Sequence, residues 1–430
     1  MKYDQIDRTL FVKNRKNFME QMKDKSLAVF NSNDVYPIGA DSTMPFQQNR
    51  DLFYLSGVDQ EESILVLFPD APKKEHREIL FLTETNPHIA VWEGEKLTKE
   101  KAQEVSGIET VYWLQDFEKI FFELMTQSET VYFNTNEHYR ASNKTETRDA
   151  RFIKWCKDKY PAHQVAKSNP ILQRLRAVKD PIELDLMQKA CNITEKAFRR
   201  VLKFVKPGVW EYEIEAEYYH EMIRNRSRGF AYSPIIASGN SANVLHYTEN
   251  NKQCKEGELI LLDTGAEYAN YSSDMTRTIP VSGRFTDRQK KIYNTVNKVK
   301  KEATTWLVPG TMWAEYHKEV GKLMTSELLD LGLLDKADVQ NEDPSWPAYK
   351  KYFMHGTAHN IGLDTHDYGI LTQPMKANQV FTVEPGIYLP DEGFGIRLED
   401  DFVIQEKGEP FNLMGNIPIE AEEIEEIMNS

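Results

Sequence analysis

Four acidic residues stand where a strand should be apolar. Asp263 follows the run Leu259-Ile-Leu-Leu262, and a carboxylate directly after four apolar residues is costly to bury unless it is paired or binds a cation. Asp274 lies eleven residues further on. With Glu267 to Asn270 as a four-residue loop, Asp263 faces Asp274, and facing residues of an antiparallel pair have Cβ atoms about 4.5–5.5 Å apart. Carboxylates that close need a shared proton or a cation between them. The competing reading is an exposed polar hairpin face. Glu384 sits in VFTVEPGIYL and Glu399 in FGIRLEDDFVI, fifteen residues apart and again compatible with a hairpin. Core strands rarely hold such acids without a partner; for Glu399 that partner could instead be Arg397, two residues away.

Histidines cluster nearby. Of ten in the chain, His355, His359 and His366 fall within twelve positions, interleaved with Gly356, Gly362 and Gly369. The glycines point to tight turns, and the spacing fits neither a zinc finger nor an HExxH helix. Each histidine alone reads as structural; three together read as a site. Four inward carboxylates and one histidine form a hard, oxygen-rich set that suits manganese or another octahedral divalent ion better than a structural zinc. Two such ions would balance four negative charges, as in two-metal hydrolases, where a bridging hydroxide attacks and the metals polarise the carbonyl.

The elements that must hold these groups are legible in outline. Before Pro170, Ser63–Phe68, Glu78–Thr83 and Val131–Phe133 are expected as buried strands, and Leu97–Val105 and Phe117–Met125 as helices. A boundary falls between Pro161 and Pro170. A helix then starts with Asp180 as cap, Pro181 in the first turn and Glu183 completing a capping box. Pro207 and Gly208 end that region. From Gly257 strand patterns recur, interrupted by helices over Asp287–Leu307 and Trp313–Leu331. The expectation is an α/β unit followed by an α+β unit.

Composition bounds the function. The chain has 430 residues, enough for two or three domains at roughly 150 residues each. A content of 40% hydrophobic residues excludes a disordered chain. The net charge of −14, most of it after residue 170, argues against nucleic acid and against an anionic membrane. Cys156, Cys191 and Cys254 are odd in number and widely spaced, as expected of ordinary thiols in a reducing compartment. The charged start lacks a signal peptide's apolar core, and the longest apolar runs are strand-length. A cytoplasmic protein is expected. Five glutamates between Glu420 and Glu426 are expected on a solvated helix face.

In order, Asp263, Asp274, His359, Glu384 and Glu399 resemble the ligands of the pita-bread metallopeptidases of family M24, which include methionine aminopeptidase, prolidase and aminopeptidase P. The family spacing HxxGxxxH, here His359-Asn-Ile-Gly362-Leu-Asp-Thr-His366, selects His359 over His355 as ligand. IASGNSANVLHYTENN (236–251) is similar to the family segment with a substrate-contacting histidine, here His246; VEPGIY and IRLED match as well. MPFQQNRDLFYLSGVDQEESILVLFPD and VWEGEKL resemble the first domain of aminopeptidase P and prolidase, although Gln48-Asn49-Arg50 departs from its usual run. Methionine aminopeptidase lacks that domain, and creatinase lacks the ligands. HYTENN, VWEGEKL and the terminal IPIEAEEIEEIM favour aminopeptidase P over prolidase.

The resemblance implies an α+β fold with a pita-bread catalytic domain over 173–430. A smaller α/β domain of the creatinase/aminopeptidase P type, over 1–172, would serve oligomerisation and substrate access. It implies a dinuclear-metal Xaa-Pro aminopeptidase that releases the first residue of peptides with proline second, using a metal-bridging hydroxide. The alternatives are a prolidase and a non-catalytic scaffold of the same fold. Two divalent ions per subunit are implied, Mn2+ foremost, with Co2+ or Zn2+ as options. Asp274 and Glu399 would bridge them, Asp263 would hold one, and His359 and Glu384 the other. Glu384 would also relay the proton. His246 and His366 would contact the substrate carbonyl or the tetrahedral intermediate. His355, Tyr388 and Arg397 would line the proline pocket, with Arg397 also orienting Glu399. Trp92 would reach a neighbouring subunit's site, so a homodimer or homotetramer is expected; the competing reading of Trp92 is a packed aromatic.

Overall fold

The apolar runs before Pro170 become the middle of a six-stranded sheet. The computed structural model describes every residue except Met1, Lys2, Asn136, Tyr139, Ser142 and Asn143. The chain divides into two units, Tyr3–Leu175 and Arg176–Ser430. In the first, β1 (Ser26–Asn31), β2 (Ile64–Leu67), β3 (Glu78–Leu82), β4 (Thr110–Trp113), β5 (Thr130–Phe133) and β6 (Gln164–Lys167) lie in the order β4-β3-β2-β1-β5-β6. The β1·β2 and β2·β3 pairs are antiparallel, and β1·β5, β5·β6 and β3·β4 parallel. Strands covered on both faces need no polar alternation, which is why β1, β2 and β5 are buried throughout. The helices are α1 (Thr9–Met19), α2 (Arg50–Ser56), α3 (Pro87–Glu93), α4 (Lys99–Ser106), α5 (Phe117–Met125) and α6 (Arg148–Lys159). Phe117 and Phe121 of α5 pack with Phe152 of α6 and Phe81 of β3 over the sheet. Helix α7 (Asn169–Ala177) leads out of this unit.

In the second unit, α8 (Pro181–Phe204) starts as its sequence dictates. The Asp180 carboxylate accepts from the Ile182 N–H at 2.9 Å, and Glu183 accepts from the Asp180 N–H at 2.8 Å. Helix α9 (Glu211–Arg224) follows, then β7 (Ile235–Ser238), β8 (Leu259–Thr264), β9 (Glu267–Tyr268), β10 (Tyr271–Ser272) and β11 (Met275–Pro280). Helices α10 (Asp287–Thr305), α11 (Trp313–Asp330) and α12 (Lys336–Gln340) precede β12 (Val380–Val383), β13 (Gly386–Leu389), β14 (Phe394–Arg397), β15 (Asp400–Val403), β16 (Phe411–Asn412) and α13 (Ala421–Met428). Two three-stranded sheets, β11-β8-β7 and β12-β15-β16, and two ribbons, β9·β10 and β13·β14, complete the α+β unit. Of the glutamates at the C-terminus Glu420, Glu422, Glu423 and Glu426 are exposed and Glu425 half-buried; Lys290 pairs with Glu422 and Glu425, and Lys301 with Glu420. All three cysteines are buried thiols. Among the described residues no helix is long and apolar enough to cross a membrane.

The first hairpin differs from the expected register. Its turn is Ala269–Asn270, both at positive φ (53° and 70°), and a two-residue turn of that hand matches the twist of the strands. Thr276 therefore faces Asp263, and Asp274 lies two residues nearer the turn. An even shift preserves the face, so both carboxylates still point the same way. Gly265 lets the strands close up beside them: a Cβ there would meet the Ser273 carbonyl oxygen at 1.7 Å.

The second hairpin brings its acids opposite each other. Val383 pairs with Asp400 and Gly386 with Arg397. Glu384 and Glu399 thus meet at the break between the two ladders, where Pro385 has no N–H to give.

Candidate metal centre

The two hairpins, with the extended segment before β12, deliver the acids and one histidine to one place. Asp274, His359 and Glu399 are buried, and one ligand atom from each lies within 4.8 Å of the others. His359 is held by its backbone: its N–H donates to Thr382 Oγ1 at 3.1 Å and its carbonyl accepts from the Thr382 N–H at 2.9 Å. Its Nδ1 lies 3.0 Å from the Asn360 carbonyl. That contact assigns the proton to Nδ1 and leaves the Nε2 lone pair facing inward. Nε2 is 3.4 Å from Asp274 Oδ2 and 3.8 Å from Glu384 Oε1. A lone pair aimed at two carboxylates is the arrangement a cation relieves, and the backbone anchor on the other nitrogen is common for metal-binding histidines. The donor set therefore fits divalent metal.

Asp263 and Asp274 share a partner that the sequence reading missed. The Tyr232 hydroxyl lies 2.6 Å from Asp263 Oδ1 and 2.5 Å from Asp274 Oδ1. Tyr232 precedes β7 in a stretch with no strand periodicity and no charge, so nothing in its surroundings marked it. Thr276 and Arg277, on β11, were missed because their partners lie more than a hundred residues along the chain. Thr276 Oγ1 donates to Glu399 Oε2 at 2.7 Å. The fully buried Arg277 donates to the Glu399 carbonyl at 2.7 Å and to Asp400 Oδ1 at 2.6 Å.

Burial and mutual repulsion set the protonation of the acids. Burial, then the Asp263 charge, pushes Asp274 well above the usual carboxylate range. Burial, then Asp274, does the same to Glu399, and burial raises Glu384 to about 7. Both effects favour the protonated acid over the carboxylate, and a bound cation would reverse that preference.

Arg397 ties several of these groups together. Its NH2 donates to Asp263 Oδ2 at 2.5 Å, its NH1 to the Tyr388 hydroxyl at 2.8 Å and its Nε to Thr276 Oγ1 at 3.2 Å. It meets Glu399 at Thr276, whose Oγ1 accepts from Arg397 and donates to Glu399, and its charge also acts on Glu399. Beyond Tyr388 lies His355, with Nε2 2.7 Å from the hydroxyl and Nδ1 2.8 Å from the Gly356 carbonyl. Burial, then the Arg397 charge, lowers His355 to about 3, so it stays neutral and accepts from Tyr388.

The His366 ring lies 4.1 Å from that of His359, centroid to centroid. Between them Gly362 sits where a Cβ would meet Asp367 Oδ2 at 2.2 Å. His246 is exposed on the loop after β7, close enough to His355 for its charge to act there. Trp92 belongs to the other unit, on α3, where it is 82% exposed.

Comparison with known proteins gives this arrangement its context. Residues 185–406 match the model of metallopeptidase family M24, and residues 11–132 that of the aminopeptidase P N-terminal domain. The chain is 33% identical to a Xaa-Pro aminopeptidase of Escherichia coli over 99% of its own length and 98% of that protein's. Among solved structures, the Pseudomonas aeruginosa aminopeptidase PepP aligns with a TM-score of 0.88 at 29% identity, covering 99% of this chain and 98% of that one. Zinc-substituted Escherichia coli aminopeptidase P in complex with product aligns with a TM-score of 0.86 at 30% identity over 99% of each chain.

Proposed function

The chain belongs to metallopeptidase family M24, and from that premise we propose that it is a Xaa-Pro aminopeptidase, releasing the first residue of peptides whose second residue is proline. The observation that carries this reading is the convergence of Asp274, His359 and Glu399, flanked by Asp263 and Glu384. Asp263, Asp274, His359, Glu384 and Glu399 would together hold two divalent metal ions. Manganese, replaceable by cobalt or zinc, would supply Lewis acidity toward the scissile carbonyl and acidify the attacking water.

The protein's own groups do the rest. Glu384 takes the proton from the attacking water and returns it to the departing prolyl nitrogen. His246 and His366 donate to the oxygen of the scissile carbonyl as charge develops on it. Arg397 NH1–H donates to the Tyr388 hydroxyl, which donates to His355 Nε2. That fixed chain holds the rings that receive the proline. Trp92, exposed on α3, reaches the site of a neighbouring copy in a homodimer or homotetramer. The enzyme works in the cytoplasm; it needs neither nucleic acid nor membrane.

The test is hydrolysis of a Xaa-Pro-Xaa peptide by metal-stripped protein with manganese, cobalt or zinc added back, beside the Xaa-Pro dipeptide. Restored cleavage of the longer peptide is expected. Cleavage of the dipeptide alone would replace this reading by a prolidase, and no cleavage with any metal by a scaffold.

A further inference from the structure

One buried acid lies outside the metal cluster and has no part in the chemistry above. Glu211 is the first residue of α9 and is fully buried. Its Oε1 accepts from the Ser238 N–H at 2.8 Å and the Ser238 hydroxyl at 2.6 Å. Its Oε2 accepts from the Tyr247 hydroxyl at 2.8 Å and the Lys252 N–H at 2.9 Å. All four donors belong to residues 238–252, the segment that carries His246. They hold it at its start, beside His246 and at its end. The segment is laced elsewhere too. Asn250 Oδ1 accepts from the Ile236 N–H at 3.0 Å, and Lys252 Nζ donates to Ser241 Oγ at 2.6 Å.

The donor pattern admits only a carboxylate. Each oxygen receives one hydroxyl, which can turn, and one backbone N–H, which cannot. A glutamine, flipped either way, sets its NH2 against a backbone N–H. The buried charge is tolerated because four donors and a helix N-terminus face it. His246 itself is exposed, whereas Tyr247 beside it is 7% exposed and packs in a cluster with Tyr388. The direction of the histidine is therefore set by its anchored neighbours.

We propose that Glu211 is a positioning residue for His246: its carboxylate fixes the 238–252 segment and thereby aims the imidazole at the scissile carbonyl. The proposal rests on the role given to His246 above. Glu211→Gln is compared with the parent in two backgrounds, His246 intact and His246→Ala, using the metal-loaded enzyme and a Xaa-Pro-Xaa peptide. With His246 intact, kcat is expected to fall at least tenfold with KM within twofold. In the His246→Ala background the same change costs less than twofold. In metal-free protein, amide exchange at Ser238 and Lys252 is expected to accelerate at least tenfold while β8 keeps its protection.

Equal losses in both backgrounds, or unchanged exchange, overturn the proposal. Should Glu211→Gln not fold, Tyr247→Phe removes a single donor. It is expected to lower kcat about threefold only where His246 is present, and equal effects again overturn the idea. A parent enzyme that cleaves no Xaa-Pro peptide would sink the functional reading, whereas the exchange result needs no activity and decides separately whether Glu211 holds the segment.

Discussion

Arg397 of the second hairpin reaches Asp263 of the first, with NH2 2.5 Å from Oδ2. The two hairpins are thus joined by a buried ion pair as well as by the metal they are built to hold. Removing one partner of such a pair typically costs about 3–5 kcal/mol, because the other is left buried and uncompensated. Arg397→Met is expected to lower the unfolding free energy by about 3 kcal/mol, read from urea unfolding of metal-free protein. Arg397→Lys should recover part of that but not turnover, since an ammonium cannot serve Asp263, Tyr388 and Thr276 together. Wild-type stability in the Met variant would show that Asp263 needs no counter-charge.

Tyr232 connects the two aspartates of the first hairpin through one hydroxyl. Outer partners of metal ligands tune affinity, and their loss typically costs about 10–100-fold. Tyr232→Phe keeps the ring and deletes only that hydroxyl. Competition with a chelator should find metal held roughly 10–100-fold more weakly, with the circular dichroism of the wild type. Unaltered affinity would mean that the aspartates hold their directions without help.

These two predictions mark what the sequence alone could and could not reveal. The acids were legible because a carboxylate inside an apolar run is anomalous wherever it occurs, and Asp180, Pro181 and Glu183 announced α8 through local chemistry. The register of the first hairpin was not, because Ala269 and Asn270 adopt positive φ without a glycine to signal it. Nor were Tyr232, Thr276 and Arg277, whose roles come from contacts across long stretches of chain. The direction of Arg397 is set by Asp263 and Thr276, more than a hundred residues away in sequence.

In the proposed reaction His246 and His366 would act on the substrate and not on the metal. His246→Ala is expected to retain the full metal content, measured by elemental analysis, while kcat falls by about 10²–10³-fold, the usual loss for one donor to a developing oxyanion. Loss of metal in that variant would overturn the assignment. His366→Ala should behave alike in turnover, although its ring lies against His359.

Acid stability should depend on a histidine that is not one of the proposed ligands. His317 on α11 is packed against the rings of Trp313 and Tyr316, and burial, then the Lys350 charge, lowers it to about 4. The folded protein therefore keeps this imidazole neutral, while the unfolded chain protonates it near its ordinary value of about 6.5. The sign follows from linkage. The contribution is complete above pH 6.5, shrinks as pH falls from there toward 4, and levels off below. At roughly 1.4 kcal/mol per pH unit it amounts to at most about 3.5 kcal/mol. His317→Gln removes the titration, so its urea midpoint should fall less between pH 7 and pH 4.5 than that of the wild type, measured in metal-free protein. Parallel declines in the two proteins would place the acid sensitivity elsewhere.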